Sequence, residues 1–152
     1  DTLGAMKLCD FGLSIPCVNS STEPAGTVEY MPPEVLRRWL NDYASVELTP
    51  SQMQLNKAVD VYAMGILLWE VFSGRDAYEE LELPRQQLME HIVSGGRPPF
   101  NEIDMPTDES VLKSVISKSA RGMCNRDPLK RPQFSQSLTL LLPFSNELDS
   151  AE

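Results

Sequence analysis

The sequence is short of the residues that much small-site chemistry draws on. It has one histidine, His91, and three cysteines, Cys9, Cys17 and Cys124. Their spacing matches no zinc ligand set and no Cys-x-x-Cys redox pair, and an odd number does not read as a disulfide framework. Reduced thiols in an intracellular, cytoplasmic protein are the expectation. No run of about 20 apolar residues exists to cross a bilayer, and no apolar N-terminal segment suggests secretion. Basic residues are in deficit: 13 Lys and Arg stand against 22 Asp and Glu, a net charge of −9. That balance argues against nucleic acid, or an anionic membrane surface, held by bulk electrostatics. No internal repeat is visible. His91 has no evident nucleophile or metal partner and reads as a surface helix residue, and the methionines read as core filling.

What is present suits one domain. At 152 residues, with 41% hydrophobic and 23% charged, the chain has enough apolar material for a single core and too much for disorder. The best organised stretch, 60–74, reads Asp-Val-Tyr-Ala-Met-Gly-Ile-Leu-Leu-Trp-Glu-Val-Phe-Ser-Gly. It is nearly apolar all round, which predicts a helix buried in the middle of a core. Asp60 stands where an N-cap belongs and Gly74 where a C-cap belongs.

Around it, residues 6–9 suit a short strand, ended by Asp10-Phe11-Gly12. Residues 14–26 are a long loop rich in Pro, Ser, Asn and Gly, a length usually functional or disordered. A short helix is expected over 32–40 with proline in its first turn. Residues 41–56 are polar and read as a surface excursion, although Pro50-Ser51 suits the start of a helical turn. Pro84 opens a helix carrying Leu88, Met89, Ile92 and Val93 on one stripe. Gly95-Gly96 ends it, and 97–100 is extended. Thr107 or Asp108 caps a further helix with Val111, Leu112, Val115 and Ile116 on one face. Asp127-Pro128 starts a turn. Phe134, Leu138, Leu141 and Leu142 form the stripe of a last helix stopped by Pro143, and the acidic tail 146–152 frays. Glu79, Glu80 and Glu82 form a solvated acidic edge. One strand and six helical or near-helical segments make the fold mainly α. The chain opens on Asp1, mid-pattern, so a fragment is expected.

Four separated motifs carry a family resemblance. They are Lys7-Leu8-Cys9-Asp10-Phe11-Gly12, Gly26-Thr27-Val28-Glu29-Tyr30-Met31-Pro32-Pro33-Glu34, Asp60-Val61-Tyr62-Ala63-Met64-Gly65 and Asp127-Pro128-Leu129-Lys130-Arg131-Pro132. In this order and at this spacing they resemble the C-terminal lobe of a eukaryotic protein kinase, a mainly α lobe of a domain that is α+β when whole. The resemblance covers 1–145, with 10–34 as the activation segment and about 41–56 as an insertion. The tyrosine-kinase-like look of 60–70, combined with a serine/threonine-type Gly26-Thr27-x-x-Tyr30, is similar to the tyrosine-kinase-like group of serine/threonine kinases.

The resemblance implies roles. Asp10 would give a hard carboxylate oxygen to the Mg²⁺ that bridges the phosphates of ATP. Phe11 would be an apolar wedge and Gly12 its hinge, with Cys9 facing the nucleotide pocket. Thr27 would help orient the acceptor hydroxyl of a protein substrate. Glu34 would pair with a buried Arg131 although Pro33 replaces the usual alanine, and Asp60 would bond the backbone of the catalytic loop. Ser20, Ser21 and Thr22 are candidate phosphosites, where a phosphate would order the loop against an arginine.

The resemblance also marks what is missing. No Gly-rich nucleotide loop, strand lysine or His-Arg-Asp catalytic loop is present. The chain alone is therefore expected to be inactive, to need the upstream kinase lobe as its partner, and to expose apolar surface when expressed by itself. Two other readings stand beside a kinase. One is a non-catalytic module, either a pseudokinase or the kinase-homology region of a receptor cyclase, acting by protein–protein contact. The other is a gene product that consists of this lobe only.

Overall fold

The computed structural model describes residues 9, 11–14, 26–40, 50–101 and 110–144. Asp10, Ser20, Ser21, Thr22, the rest of the expected strand at 6–9, residues 41–49, the caps at Thr107 and Asp108, and the tail lie outside them. Among the described residues the regular structure is helical, as the mainly α reading requires. Five α-helices follow in order: α1 Pro33–Leu40, α2 Pro50–Ser73, α3 Arg85–Ser94, α4 Ser110–Met123 and α5 Phe134–Leu141. Single 3-10 turns at Phe11–Leu13, Val28–Tyr30, Glu79–Leu81, Pro128–Lys130 and Leu142–Phe144 link or flank them.

Helix α2 organises the rest, and it is longer than its apolar run. It has 24 residues, about 36 Å at the usual rise, and starts on Pro50, whose fixed φ suits a first helical position. Residues 50–56, assigned by their polarity to a surface excursion, are its first two turns. Asp60 is therefore not an N-cap but an interior residue ten positions in, open to solvent. The partial burial of its carboxyl raises its pKa above the ordinary aspartate value. Gly74 does close the helix: its N–H donates to the Glu70 carbonyl at 2.8 Å, at a φ of +66° that glycine adopts without Cβ strain.

One face of α2 carries the core. Val61, Tyr62, Ile66, Leu68 and Trp69 are buried, together with Leu36 of α1, Leu88 and Ile92 of α3, and Leu112, Ile116, Ala120 and Met123 of α4. Helix α2 crosses α4 at close range at Gly65. A Cβ there would stand 2.7 Å from both Cys124 Sγ and Met123 Cβ, so only glycine lets the backbones approach. The opposite face is open, which corrects the expectation of burial all round. Met64 is 36% exposed, Leu67 39% and Val71 61%, and with Asp60 they form one stripe along the helix.

Two further stripes are rotated from their expected positions. In α4, Val111 points outward and the buried line runs Leu112, Ile116, Ser119, Ala120. In α5, Phe134 and Leu138 are exposed, Leu141 is partly buried, and the buried position is Ser137. The Phe134–Leu141 helix is followed by a 3-10 turn that contains Pro143. Helix α3 follows its expected stripe, with Leu88 and Ile92 buried and Met89 and Val93 packed beside them. His91 is not a plain surface residue: it is half-buried, its ring edge-on to Tyr78 with centroids 6.0 Å apart.

Candidate functional site

The 3-10 turn Val28–Tyr30 carries the most site-like geometry among the described residues. Thr27 precedes it in extended conformation, and its carbonyl accepts from the Tyr30 N–H at 3.2 Å. Its side chain makes no capping bond and is exposed. The Val28 and Met31 side chains are buried and anchor the turn on the core. Thr27 opens onto a cleft of about 490 Å³ whose walls include Glu29, Tyr30, Glu70, Asp76 and Tyr78. Among the described residues its lining is acidic, with Glu29, Glu70, Asp76, Glu79 and Glu82 and no lysine or arginine, a charge balance that favours a cationic or hydrogen-bond-donating occupant.

Glu70 lines this cleft. In the sequence it reads only as a charge interrupting an apolar run. In the structure both of its carboxylate oxygens are engaged. Oε2 accepts from the Tyr30 hydroxyl at 2.5 Å, and Oε1 accepts from the Ala77 N–H at 2.8 Å. The Tyr30 phenol is pushed up to about 12, by burial first and then by this bond to Glu70. Ala77 precedes Tyr78, which holds a φ of +66°. A bulky residue in that left-handed region is strained and persists only where its surroundings fix it.

The structure brings Glu34 and Arg131 together across 97 residues of chain. The Arg131 guanidinium donates from Nη1 to Glu34 Oε1 at 2.7 Å and from Nη2 to Oε2 at 2.8 Å. It also donates to the carbonyls of Ala58 and Asn125, each at 2.9 Å, and lies over the Tyr62 ring. Its side chain is fully buried, and that of Glu34 is 20% exposed. This is the two-pronged geometry that arginine, not lysine, offers a carboxylate. Asp127 supports it locally by capping the Pro128–Lys130 turn, its carboxylate accepting from the Leu129 N–H at 3.0 Å.

Residue types without a motif complete the frame. Arg97 donates to the carbonyls of Cys124, Ile92 and Gly96, and its guanidinium lies over Tyr62 as Arg131 does. The hydroxyls of Tyr62 and Tyr78 are buried near each other without a hydrogen bond of ordinary geometry. Burial pushes Tyr62 up to about 12 and Tyr78 higher still.

The residues expected to serve the nucleotide are only partly in view. Asp10 lies outside the described residues. Cys9 is exposed, and Phe11 and Gly12 are exposed on a 3-10 turn that the Ser14 N–H closes onto the Phe11 carbonyl. Among the described residues no three His, Cys, Asp or Glu gather to hold a metal ion. None of the described helices is long and apolar enough to cross a membrane.

Comparisons with known proteins agree on one family. The protein kinase domain model matches residues 1–140. A putative mitogen-activated protein kinase kinase kinase 7-like protein of Drosophila melanogaster is 29% identical over 86% of the chain. Receptor-interacting serine/threonine-protein kinase 2 of Bos taurus is 32% identical over 91%, and serine/threonine-protein kinase CTR1 of Arabidopsis thaliana 31% over 91%. The chain spans only 29%, 25% and 14% of these relatives' own lengths. It belongs to the protein kinase domain family, as a helical C-terminal-lobe segment that stands with serine/threonine kinases of the tyrosine-kinase-like group.

Proposed function

We propose that this chain is the C-terminal part of an ATP-dependent protein kinase that phosphorylates serine and threonine hydroxyls of proteins in cytoplasmic signalling. The observation that carries the reading is the Thr27 turn: a threonine free of capping, held on the core beside an open cleft. Its Gly26-Thr27-x-x-Tyr30 pattern is of the serine/threonine type. In that reading Thr27 orients the acceptor hydroxyl. The Glu34–Arg131 pair fixes the end of the activation segment onto α2 and the 125–131 turn, so the Thr27 turn is braced from behind. Ser20, Ser21 and Thr22 are the candidate sites at which phosphate orders that segment.

ATP supplies the phosphoryl group, with Mg²⁺ neutralising its charge. The donor chemistry suits this: Asp10 is a hard oxygen ligand of the kind Mg²⁺ takes. In this reading the Gly-rich loop, strand lysine and catalytic loop that also serve the nucleotide, which these 152 residues do not contain, are supplied by an upstream lobe. The open stripe of Met64, Leu67 and Val71 on the central helix is a surface that such a partner would cover.

The test is phosphotransfer by the full-length gene product on serine-, threonine- and tyrosine-containing peptides, with Asp10→Asn as control. Transfer to serine and threonine that Asp10→Asn abolishes is expected, and residues 1–152 alone are expected to be inactive and prone to aggregate. A full-length product that binds protein partners but transfers no phosphate would establish the non-catalytic module instead.

A further inference from the structure

We propose that the groove between the N-terminal half of α2 and the 128–135 segment docks a short stretch of a partner protein that carries leucine- or phenylalanine-sized side chains flanked by aspartate and glutamate. Binding there needs no phosphotransfer, and the groove shares no lining residue with the cleft beside Thr27.

The groove measures about 640 Å³, and its lining includes Lys57, Ala58 and Val61 of α2 with Leu129, Arg131 and Phe134 facing them. Two of its apolar side chains remain in water: Leu129 is 74% exposed and Phe134 48%. Large apolar groups gathered at a groove, rather than scattered singly, mark a contact surface. The walls are set before any ligand arrives. Pro128 and Pro132 each fix a φ angle, and the Asp127 carboxylate accepts from the Leu129 N–H. The buried Arg131 guanidinium ties the same turn to Glu34 and to the Ala58 carbonyl. A groove held this way gives up little conformational freedom on binding.

Charge selects the occupant. Among the described residues no Asp or Glu lines the groove, although the chain carries 22 of them against 13 Lys and Arg. Its two cations differ. Arg131 is committed to Glu34, whereas Lys57 is exposed and has no ion-pair partner among the described residues. Lys130, next to Leu129, is exposed and reaches Asp127 only at 3.9 Å. Carboxylates from outside complement these two lysines, and apolar side chains complement the walls. A second copy fits badly, because a two-fold contact centred here sets the lysines against their own copies. The chain's own acidic segment 146–152 has one large apolar side chain, Leu148, for a groove that exposes two.

A random peptide library displayed on phage and selected on the full-length gene product finds the ligand without assuming its sequence. Lys57→Glu and Leu129→Ser change exposed positions, so the core should stay intact, and unchanged hydrogen exchange in α4 checks this. We expect selected peptides to combine Asp or Glu with Leu, Ile or Phe. Synthetic copies should bind Lys57→Glu about tenfold more weakly than wild type, and Leu129→Ser at least about tenfold more weakly. Peptides that bind both variants as well as wild type, basic peptides in place of acidic ones, or no enrichment at all would overturn the proposal. Affinity that rises about tenfold when residues 146–152 are deleted would give the groove to the chain's own tail instead. Concentration-dependent association in sedimentation that Lys57→Glu abolishes would give it to a second copy, and either result removes the partner.

Discussion

Replacing Arg131 by alanine tests whether one guanidinium ties the lobe together. It bridges α1 through Glu34, α2 through the Ala58 carbonyl and the segment after α4 through the Asn125 carbonyl. The truncation leaves a carboxylate whose side chain is only 20% exposed without its partner, two carbonyls without that donor, and the Tyr62 face without its cation. Breaking a buried pair from one side costs about 3–5 kcal/mol, because the orphaned charge stays in low dielectric. Set against a typical domain stability of about 5–15 kcal/mol, that is enough to unfold a marginal lobe.

Glu34→Ala should cost a similar amount by the opposite route, leaving a fully buried guanidinium with carbonyls only. The pair Glu34→Leu with Arg131→Met should cost much less than the two single losses summed, since neither charge remains to be desolvated. Arg131→Lys keeps the charge but not the fork, and should lie nearer to alanine than to wild type. Hydrogen exchange across a urea series, read on peptides from α2 and α4, reports the lobe's stability whatever else the gene product carries. Raising the salt should change the coupling little, because buried pairs are weakly screened. Single losses under about 1 kcal/mol, or strict additivity, would mean the pair behaves like a surface contact and refute this reasoning.

Three more outcomes follow from the same core. Gly65→Ala gains about 1 kcal/mol of helix propensity but forces a Cβ to 2.7 Å from Met123 Cβ and Cys124 Sγ. A net loss of about 1–3 kcal/mol in urea is expected, and a stabilised variant would refute the close crossing. Iodoacetamide at pH 8 should modify exposed Cys9 quickly and buried Cys124 only on unfolding, since burial pushes the Cys124 thiol up to about 12; peptide mass spectrometry showing early modification of Cys124 would contradict its burial. Tyr30 favours its protonated form when folded, so its contribution is complete below its ordinary value of 10.0 and is lost as pH rises towards about 12. Tyr30→Phe should flatten that alkaline loss, with Tyr62 and Tyr78 keeping a residue of it; urea midpoints at pH 9 to 12 that fall in parallel would contradict it.

The sequence was most readable where one local signal had one meaning. Proline at the start and apolar spacing of three and four placed α1 and α3 within a residue or two of their bounds. Polar residues in 50–56 carried two meanings, since a solvated helix turn and a surface loop have the same composition. Asp60 looked like a cap for the same reason: the shift from polar to apolar marks where α2 becomes buried, not where it begins. Small polar residues misled in α4 and α5. Ser119 and Ser137 are buried, while Val111 and Leu138, which a hydrophobic pattern places inside, are exposed.

The candidate site divides along the same line. Glu34 and Arg131 were legible because each sits in a motif, and a motif preserves a pairing that spacing alone never reveals over 97 residues. Thr27 was named by its motif too, and it stands exposed at the edge of the cleft. Glu70 was not, since a single carboxylate in an apolar run has no local signature for a partner 40 residues upstream. Its energetics still left a trace. A charge in the last turn of an otherwise apolar helix is unfavourable to the dipole and to desolvation together, so the fold has to supply donors for it. The donors it found belong to the turn that presents Thr27 and to the strained entry into Tyr78. An unexplained charge in a hydrophobic helix is therefore a better guide to a site's supporting frame than the exposed acids around the cleft, whose solvation demands nothing of the fold.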